Sequence, residues 1–307
     1  MINYRITSFI IFIGYVFYLA FLVDYVRLEG KGDLLNYDAH SEKGAEFFAR
    51  YENIDVGYSI YPKLFFMMAL DRLNSFFPFD LFLLISAAVF SSIFHSFLKT
   101  VNPSYLTLLG FCLVILHPRV FHLFVSNYRT GISLGIILPL LSYEASRIRL
   151  SIMLVISLLH SSTIYMMVYV LSERILRNRL QHRTIRSLLI LGFIVLFSFL
   201  VKTGFINGEP WNANLLYTAS TLTLFLVYIS CVVIFRCPND SLFSLLSYAL
   251  GFAFVVCILL DISGVRFFSI FLLISVFSIT DWSKDARILY LSSVLFHCLF
   301  ANYYYFV

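Results

Sequence analysis

The chain has 307 residues, of which 60% are hydrophobic, 18% aromatic and 13% charged, with a mean hydropathy of +0.88. Soluble domains carry about 25% charged residues. Half that load, together with 34 Phe and 20 Tyr, excludes a soluble globular enzyme, a nucleic-acid binder and a disordered chain.

Apolar segments recur at 6–23, 58–70, 79–98, 103–117, 120–143, 149–171, 187–201, 215–235, 241–260, 265–280 and 287–306. The first follows Arg5, is long enough to cross a bilayer and lacks a small-x-small cleavage site. It is therefore expected to remain as a signal-anchor. In hydrocarbon every backbone polar group needs an internal partner, so such runs are helices, and the lack of period-two alternation excludes a closed barrel. The expected fold is an all-α, polytopic transmembrane helical bundle of about nine to eleven membrane segments. It forms one integral-membrane domain over 1–307. Five cysteines lie scattered in apolar stretches without a C-x-x-C pair, which suits apolar packing rather than a metal or redox centre. No P-loop, G-x-S-x-G, H-E-x-x-H or dinucleotide fingerprint occurs, so no cofactor and no metal are expected.

Two polar segments interrupt the pattern. Residues 24–57 hold Asp24, Glu29, Asp33, Asp38, Glu42, Glu46, Glu52 and Asp55 against four basic side chains. Residues 174–186 hold Arg174, Arg177, Arg179, Arg183 and Arg186 and no acid. The positive-inside rule places the arginine segment in the cytoplasm, and the acidic loop, one span after the start, outside. Between these anchors two arrangements compete. If every apolar segment spans, Lys99, Arg147 and Arg149 fall outside and Arg119 inside. In the second, preferred arrangement, 58–76 is interfacial or re-entrant. The stretch 149–173 is then a broken or re-entrant hairpin turning near His160-Ser161-Ser162. Half-helices of about 12 residues rise only about 18 Å and reach part-way through the bilayer. Lys99, Arg147, Arg149, Arg236, Lys284 and Arg287 then all lie inside, and His117, Arg119, His122, Arg129, His160, the loop 202–214 and Arg266 lie at or near the outer face.

Those outward residues lack a topological duty, and ionisable groups at membrane depth usually face a cavity or a partner. Arg129 opens the apolar helix Tyr128-Arg129-Thr130-Gly131, with Gly131-x-x-x-Gly135 permitting close helix approach. It is either a snorkelling helix-end arginine or a phosphate ligand, since guanidinium binds phosphate oxygens bidentately. His160 is either a satisfied packing residue or a general base beside a water-filled cavity. Arg266 either pairs with Asp261 or supplies a second cation to the same anion. The loop Asn207-Gly208-Glu209-Pro210-Trp211-Asn212 is either an interfacial anchor or a sugar-contacting surface through Glu209 and Trp211.

These features, in this order, resemble the EpsG-like, Wzy-type bacterial polysaccharide polymerase family. The resemblance runs from an early loop with Asp33, Tyr37 and Asp38, through Gly57-Tyr58, the Tyr128–Ser133 helix and the basic turn Arg147/Arg149. It continues to His160-Ser161-Ser162 and a late Arg266-Phe267-Phe268. The resemblance implies a membrane glycosyltransferase that joins polyprenyl-diphosphate-linked oligosaccharide repeat units at the outer face of the bacterial cytoplasmic (inner) membrane. The product would be O-antigen, capsule or exopolysaccharide. A chain-length regulator and a flippase would be companions, alongside membrane lipids, and no nucleic acid is implied. The reaction that the resemblance implies is metal-independent. Arg129 and Arg266, with Arg119, would stabilise the diphosphate leaving group, and Tyr128, Glu209 and Trp211 would contact substrate. His160 is the implied base that takes the acceptor hydroxyl's proton, with Asp38 as the competing carboxylate. The alternatives are a flippase or transporter of the same lipid-linked sugars, or a related membrane ligase or acyltransferase.

Overall fold

The structure is a computed structural model that describes residues 4–28, 81–100, 104–125, 128–142, 147–157, 161–179, 215–237, 241–260 and 265–306, with isolated positions 73, 76 and 192. Among the described residues every regular element is helical and no strand occurs. In chain order these are α1 (Tyr4–Leu28), α2 (Leu81–Thr100), α3 (Tyr105–Ile115), α4 (Pro118–Val125), α5 (Tyr128–Leu141) and α6 (Arg147–Ser157). They continue as α7 (Ser161–Arg179), α8 (Leu215–Ile234), α9 (Leu242–Leu259), α10 (Val265–Ser278), a 3-10 turn (Ile279–Asp281) and α11 (Lys284–Phe306). Leu83–Thr100 and Leu242–Leu259 are each long and apolar enough to cross a membrane, and α3 with α4, bent by 76°, makes a third if counted as one span.

The chain forms two compact units, Met1–Phe97 with His122–Ile164, and Leu98–Phe121 with Tyr165–Val307. In the first, α1 buries Tyr15 and Leu19 and exposes Phe9, Phe17 and Phe21, with Phe17 73% accessible. Such an apolar outer face is costly in water and neutral in lipid. The Tyr15 ring lies 4.0 Å from that of Phe90, which stacks on Phe94 at 5.6 Å and meets Phe124 edge-on at 6.1 Å. Each such pair contributes about 0.5–1.5 kcal/mol. Lipid tails are as apolar as leucine, so close packing rather than water exclusion holds such helices together. The Gly131/Gly135 stripe of α5 provides it, because both glycines face Val89 of α2. Ser133 Oγ donates to Arg129 O at 2.7 Å and reaches Ile156 O at 3.3 Å, tying α5 to α6.

The expected single segment 120–143 is divided, and 149–171, which the preferred arrangement expects to be broken, is shared between two helices. The segment 120–143 holds most of α4 and all of α5. A Cβ at Gly131 would overlap the Leu123 carbonyl oxygen. Eight residues span about 12 Å in a straight helix, so α4 and α5 are not collinear. The segment 149–171 holds parts of α6 and α7, and Thr163 Oγ1 donates to Ser157 O at 3.0 Å. Six residues rise about 9 Å, so this bond too is impossible along one straight helix. The polar segments are shorter than expected, since α1 runs on to Leu28 and α7 to Arg179. The rest of 24–57 and of 174–186, the segment 58–70, and 187–201 apart from 192 lie outside the described residues.

The second unit is built around α11. Arg287 Nη1 donates to Ser104 Oγ at 3.1 Å, while Ser104 itself caps α3 by accepting from the Thr107 N–H at 3.3 Å. Further along, Gly110 packs on Leu291 and His117 meets His297, so α3 and α11 run parallel. Helix α8 runs antiparallel to α11. Ser220 faces His297, and Cys231 Sγ reaches Ala286 O eleven residues along each helix. Helix α10 is antiparallel too, because Tyr290 Oη donates to Ser275 Oγ at 2.7 Å and Phe268 lies against His297. Tyr228, Tyr290 and Trp282 pack ring on ring at 5.1–5.8 Å, and the Tyr228 hydroxyl bonds Ser278 Oγ at 2.8 Å. Buried phenols are thereby satisfied inside the unit. Helix α8 ends in a Schellman motif, with Cys237 N–H on Val232 O at 3.1 Å and Arg236 left-handed at φ 49°.

Candidate functional site

The α5 N-terminus carries the first group of polar residues. Tyr128 is fully enclosed, 1% accessible, with its hydroxyl 3.5 Å from Ser86 Oγ, which donates to Phe124 O at 2.6 Å. Arg129 is half-buried, and its Nε is buried with no hydrogen-bond partner among the described residues. The Thr130 hydroxyl, in a residue 1% accessible, is also buried without a partner among them. Leaving buried donors unmet costs about 1–3 kcal/mol each, more when charged. Both atoms sit on the first helical turn, where backbone N–H groups and the helix dipole favour an anion.

The second unit holds a group that the sequence reading did not assemble. His117 follows α3 and serves as the N-cap of α4. Its carbonyl accepts from Val120 and Phe121, and its Nδ1 accepts from the Arg119 N–H at 3.2 Å. Pro118 suits the first helical position because its missing N–H is not needed there. His117 Nε2 lies 2.8 Å from His297 Nδ1, with the rings nearly parallel at 16° and their centroids 5.0 Å apart. His297 Nε2 lies 3.3 Å from Ser220 Oγ. Both residues are buried, and the Phe268 ring closes the group at 6.2 Å from His117 and 5.4 Å from His297.

The hydrogen positions follow from the one donor that cannot reverse. A backbone N–H always donates, so His117 Nδ1 carries no proton and its Nε2 carries one. That N–H donates to His297 Nδ1, which places the His297 proton on Nε2, donating to Ser220 Oγ. Both imidazoles are neutral in this arrangement. The group can orient α4 and hold a chain of hydrogen bonds from Arg119 to Ser220. In this tautomer it does not activate Ser220 as a nucleophile, since His297 Nε2 is already protonated.

Of the expected site residues, Tyr128 and Arg129 belong to the first unit, and Arg119 and Arg266 to the second. Arg119 is half-buried on the first turn of α4, and its charge acts on both histidines. Arg266 is half-buried on the first turn of α10, two residues, or about 3 Å along the helix, from the Phe268 that touches both rings. His160, Asp38, Glu209 and Trp211 lie outside the described residues. His297 gave no usable sequence signal, since its partner is 180 positions away. Among the described residues no cluster of three His, Cys, Asp or Glu could hold a metal ion. Comparison with protein-family models, with curated proteins and with solved structures finds no match to this chain.

Proposed function

We propose that this chain is a polytopic bacterial inner-membrane glycosyltransferase that joins polyprenyl-diphosphate-linked oligosaccharide repeat units into a polysaccharide. The observation that carries the reading is Arg129, whose Nε is buried and unpartnered among the described residues beside the equally unpartnered Thr130 hydroxyl. A cation held in an apolar bundle needs an anion, and a guanidinium fork matches phosphate oxygens. A diphosphate leaving group gathers negative charge as the glycosidic bond breaks, so a preorganised arginine stabilises the transition state more than the ground state. In this reading Arg129 holds the diphosphate, and Tyr128 lines the arginine's helix. His160, or else Asp38, takes the proton of the attacking acceptor hydroxyl, and Glu209 and Trp211 contact sugar.

The test is the glycan ladder of a deletion strain complemented with variants. Arg129→Ala should abolish polymer while the protein remains inserted, and Arg129→Lys should restore little because a point charge cannot replace the fork. Wild-type chain length with Arg129→Ala overturns the assignment. The bend of 76° between α3 and α4 favours a second reading, a transporter of the same lipid-linked sugars, because broken helices line transport sites near the bilayer centre. Loss of the ladder with one repeat unit still attached supports the polymerase, and loss of all surface sugar supports the transporter.

A further inference from the structure

Several helix ends meet at one end of the second unit. Cys231 of α8 reaches Ala286 of α11, and the Cys237 thiol lies against the Ser283 backbone, so the end of α8 adjoins the start of α11. Helix α9 begins at the end of α10, because Phe243 stacks on Phe277 at 5.0 Å, and the 3-10 turn carries α10 directly into α11. Arg287 brings in the start of α3 through Ser104. Leu242–Leu259 of α9 is long and apolar enough to cross a membrane. In a bilayer, the end at which that span begins lies at the headgroups.

This end carries Arg236 and Lys284, both exposed, and the half-buried Arg287. The Arg287 guanidinium has five N–H donors and needs an anion. Among the described residues its one hydrogen bond is to Ser104 Oγ, its Nε is buried without a partner, and it forms no ion pair. Ser104 has nothing more to offer. Its oxygen accepts from Arg287 Nη1 and from the Thr107 N–H, which fills both lone pairs and leaves its own proton for Thr107 Oγ1. The exposed carboxylates of this end, Asp281 and Asp285, do not answer the charge either. Asp285 is two residues from Arg287, a spacing that puts the side chains on different sides of a helix, and Asp281 precedes α11. Lys284, three residues before Arg287, shares its face about 4.5 Å along the axis. The positive end of the α3 dipole adds to both cations. The neutralising anion must therefore come from outside, to the accessible edge of the guanidinium. Tyr105, Val233, Ile234, Ile288 and Leu289 are exposed beside these cations, which is the apolar surface that acyl chains cover.

We propose that the start of α11 is a headgroup site for an anionic phospholipid, whose phosphodiester is held by the Arg287 fork and the Lys284 ammonium, with Arg236 as a further cation at the rim. A phosphodiester carries one negative charge on two free oxygens, which suits a fork and a point charge together. Basic residues between helix ends at a membrane surface bind such headgroups. Arg236 stands at a left-handed position, φ 49°, where glycine fits without strain, so its side chain is not there for the turn. The site goes beyond the glycosyltransferase reading and does not rest on it, since it uses none of the residues assigned to the diphosphate.

The experiment measures the melting temperature of the full chain in a neutral detergent with added phosphatidylglycerol, phosphatidylcholine of the same acyl chains, or inorganic phosphate. Saturating phosphatidylglycerol should raise it by about 5 °C over phosphatidylcholine. Arg287→Gln, which keeps a donor for Ser104, should lose most of that gain, and Arg287→Lys should keep part of it. Lys284→Gln with Arg236→Gly alters two exposed side chains and relieves the left-handed position. In phosphatidylcholine this double variant should melt no lower than the parent, yet it should gain less from phosphatidylglycerol. Equal gains from the two lipids in the parent overturn the site. So does an undiminished gain in Arg287→Gln or, should that variant not fold, in the double variant. A gain from inorganic phosphate alone that matches phosphatidylglycerol makes this a site for a free anion and overturns the lipid.

Discussion

Thr130 shows how a single atom can separate a folding role from a binding role. Its hydroxyl is buried without a partner among the described residues, in a side chain 1% accessible. Were the hydroxyl there for stability, removing it would cost about 1 kcal/mol. An unmet buried donor has the opposite effect, so Thr130→Val, which keeps the β-branched shape, should leave thermal stability unchanged or raise it by up to about 1 kcal/mol equivalent. In the proposed function, with the hydroxyl and Arg129 serving the same anion, the same change should shorten or abolish the glycan ladder. Stability and ladder measured on one preparation check this, and a Thr130→Val protein that melts earlier but polymerises normally would make Thr130 structural. Arg129 was legible in the sequence because a lone arginine opening an apolar helix is conspicuous. Its unmet Nε was not, since what a guanidinium touches is decided by other helices. His297 illustrates the same limit more sharply, because one histidine within an apolar run carries no pattern until His117, 180 positions earlier, lies 2.8 Å from it.

At the scale of elements, the two glycines of α5 look equivalent in the sequence and differ in the structure. A Cβ at Gly131 would overlap the backbone oxygen of Leu123, whereas one at Gly135 would lie 3.4 Å from Val89 Cα and Cγ1. A backbone oxygen cannot rotate away, but an adjacent helix can shift by a few tenths of an ångström. Gly131→Ala should therefore sharply reduce the yield of folded protein, with a cost of several kcal/mol by analogy with overpacked cores, while Gly135→Ala should cost less than about 1 kcal/mol. Size-exclusion profiles and thermal inactivation in detergent compare the two, and equal behaviour would show that α4 and α5 do not meet as described. The close-approach motif was readable as small-residue spacing. That Gly131 answers to its own preceding helix, and Gly135 to α2, was not readable, because the division between α4 and α5 falls inside an unbroken apolar segment. By contrast, the division between α3 and α4 was marked by Pro118, which ends one helix and begins the next.

At the scale of the molecule, the charges of the second unit sort along its helices. Arg236 follows the end of α8, Lys284 opens α11, and Arg287 binds the start of α3, so the antiparallel pairing of α8 with α11 gathers all three at one end. His297 lies ten residues, or about 15 Å, along α11 from Arg287, which is half the thickness of a hydrocarbon core of about 30 Å. Helix α11 has 23 residues and is about 35 Å long, enough by length to carry Tyr303 to the opposite interface. If α11 crosses the membrane, the positive-inside rule makes the arginine–lysine end cytoplasmic and sets the histidine pair near mid-depth. Composition alone could announce a membrane protein and group those basic residues on one side. It could not set the depth of the pair, which depends on which helices run parallel. Cysteine labelling in intact cells and inverted vesicles tests the arrangement with Lys284→Cys and Tyr303→Cys, both exposed positions. Lys284→Cys should react only from the cytoplasmic side and Tyr303→Cys only from the outer side. Reaction of both from one side would mean that α11 does not cross, and the mid-depth placement of His117 and His297 would fall with it.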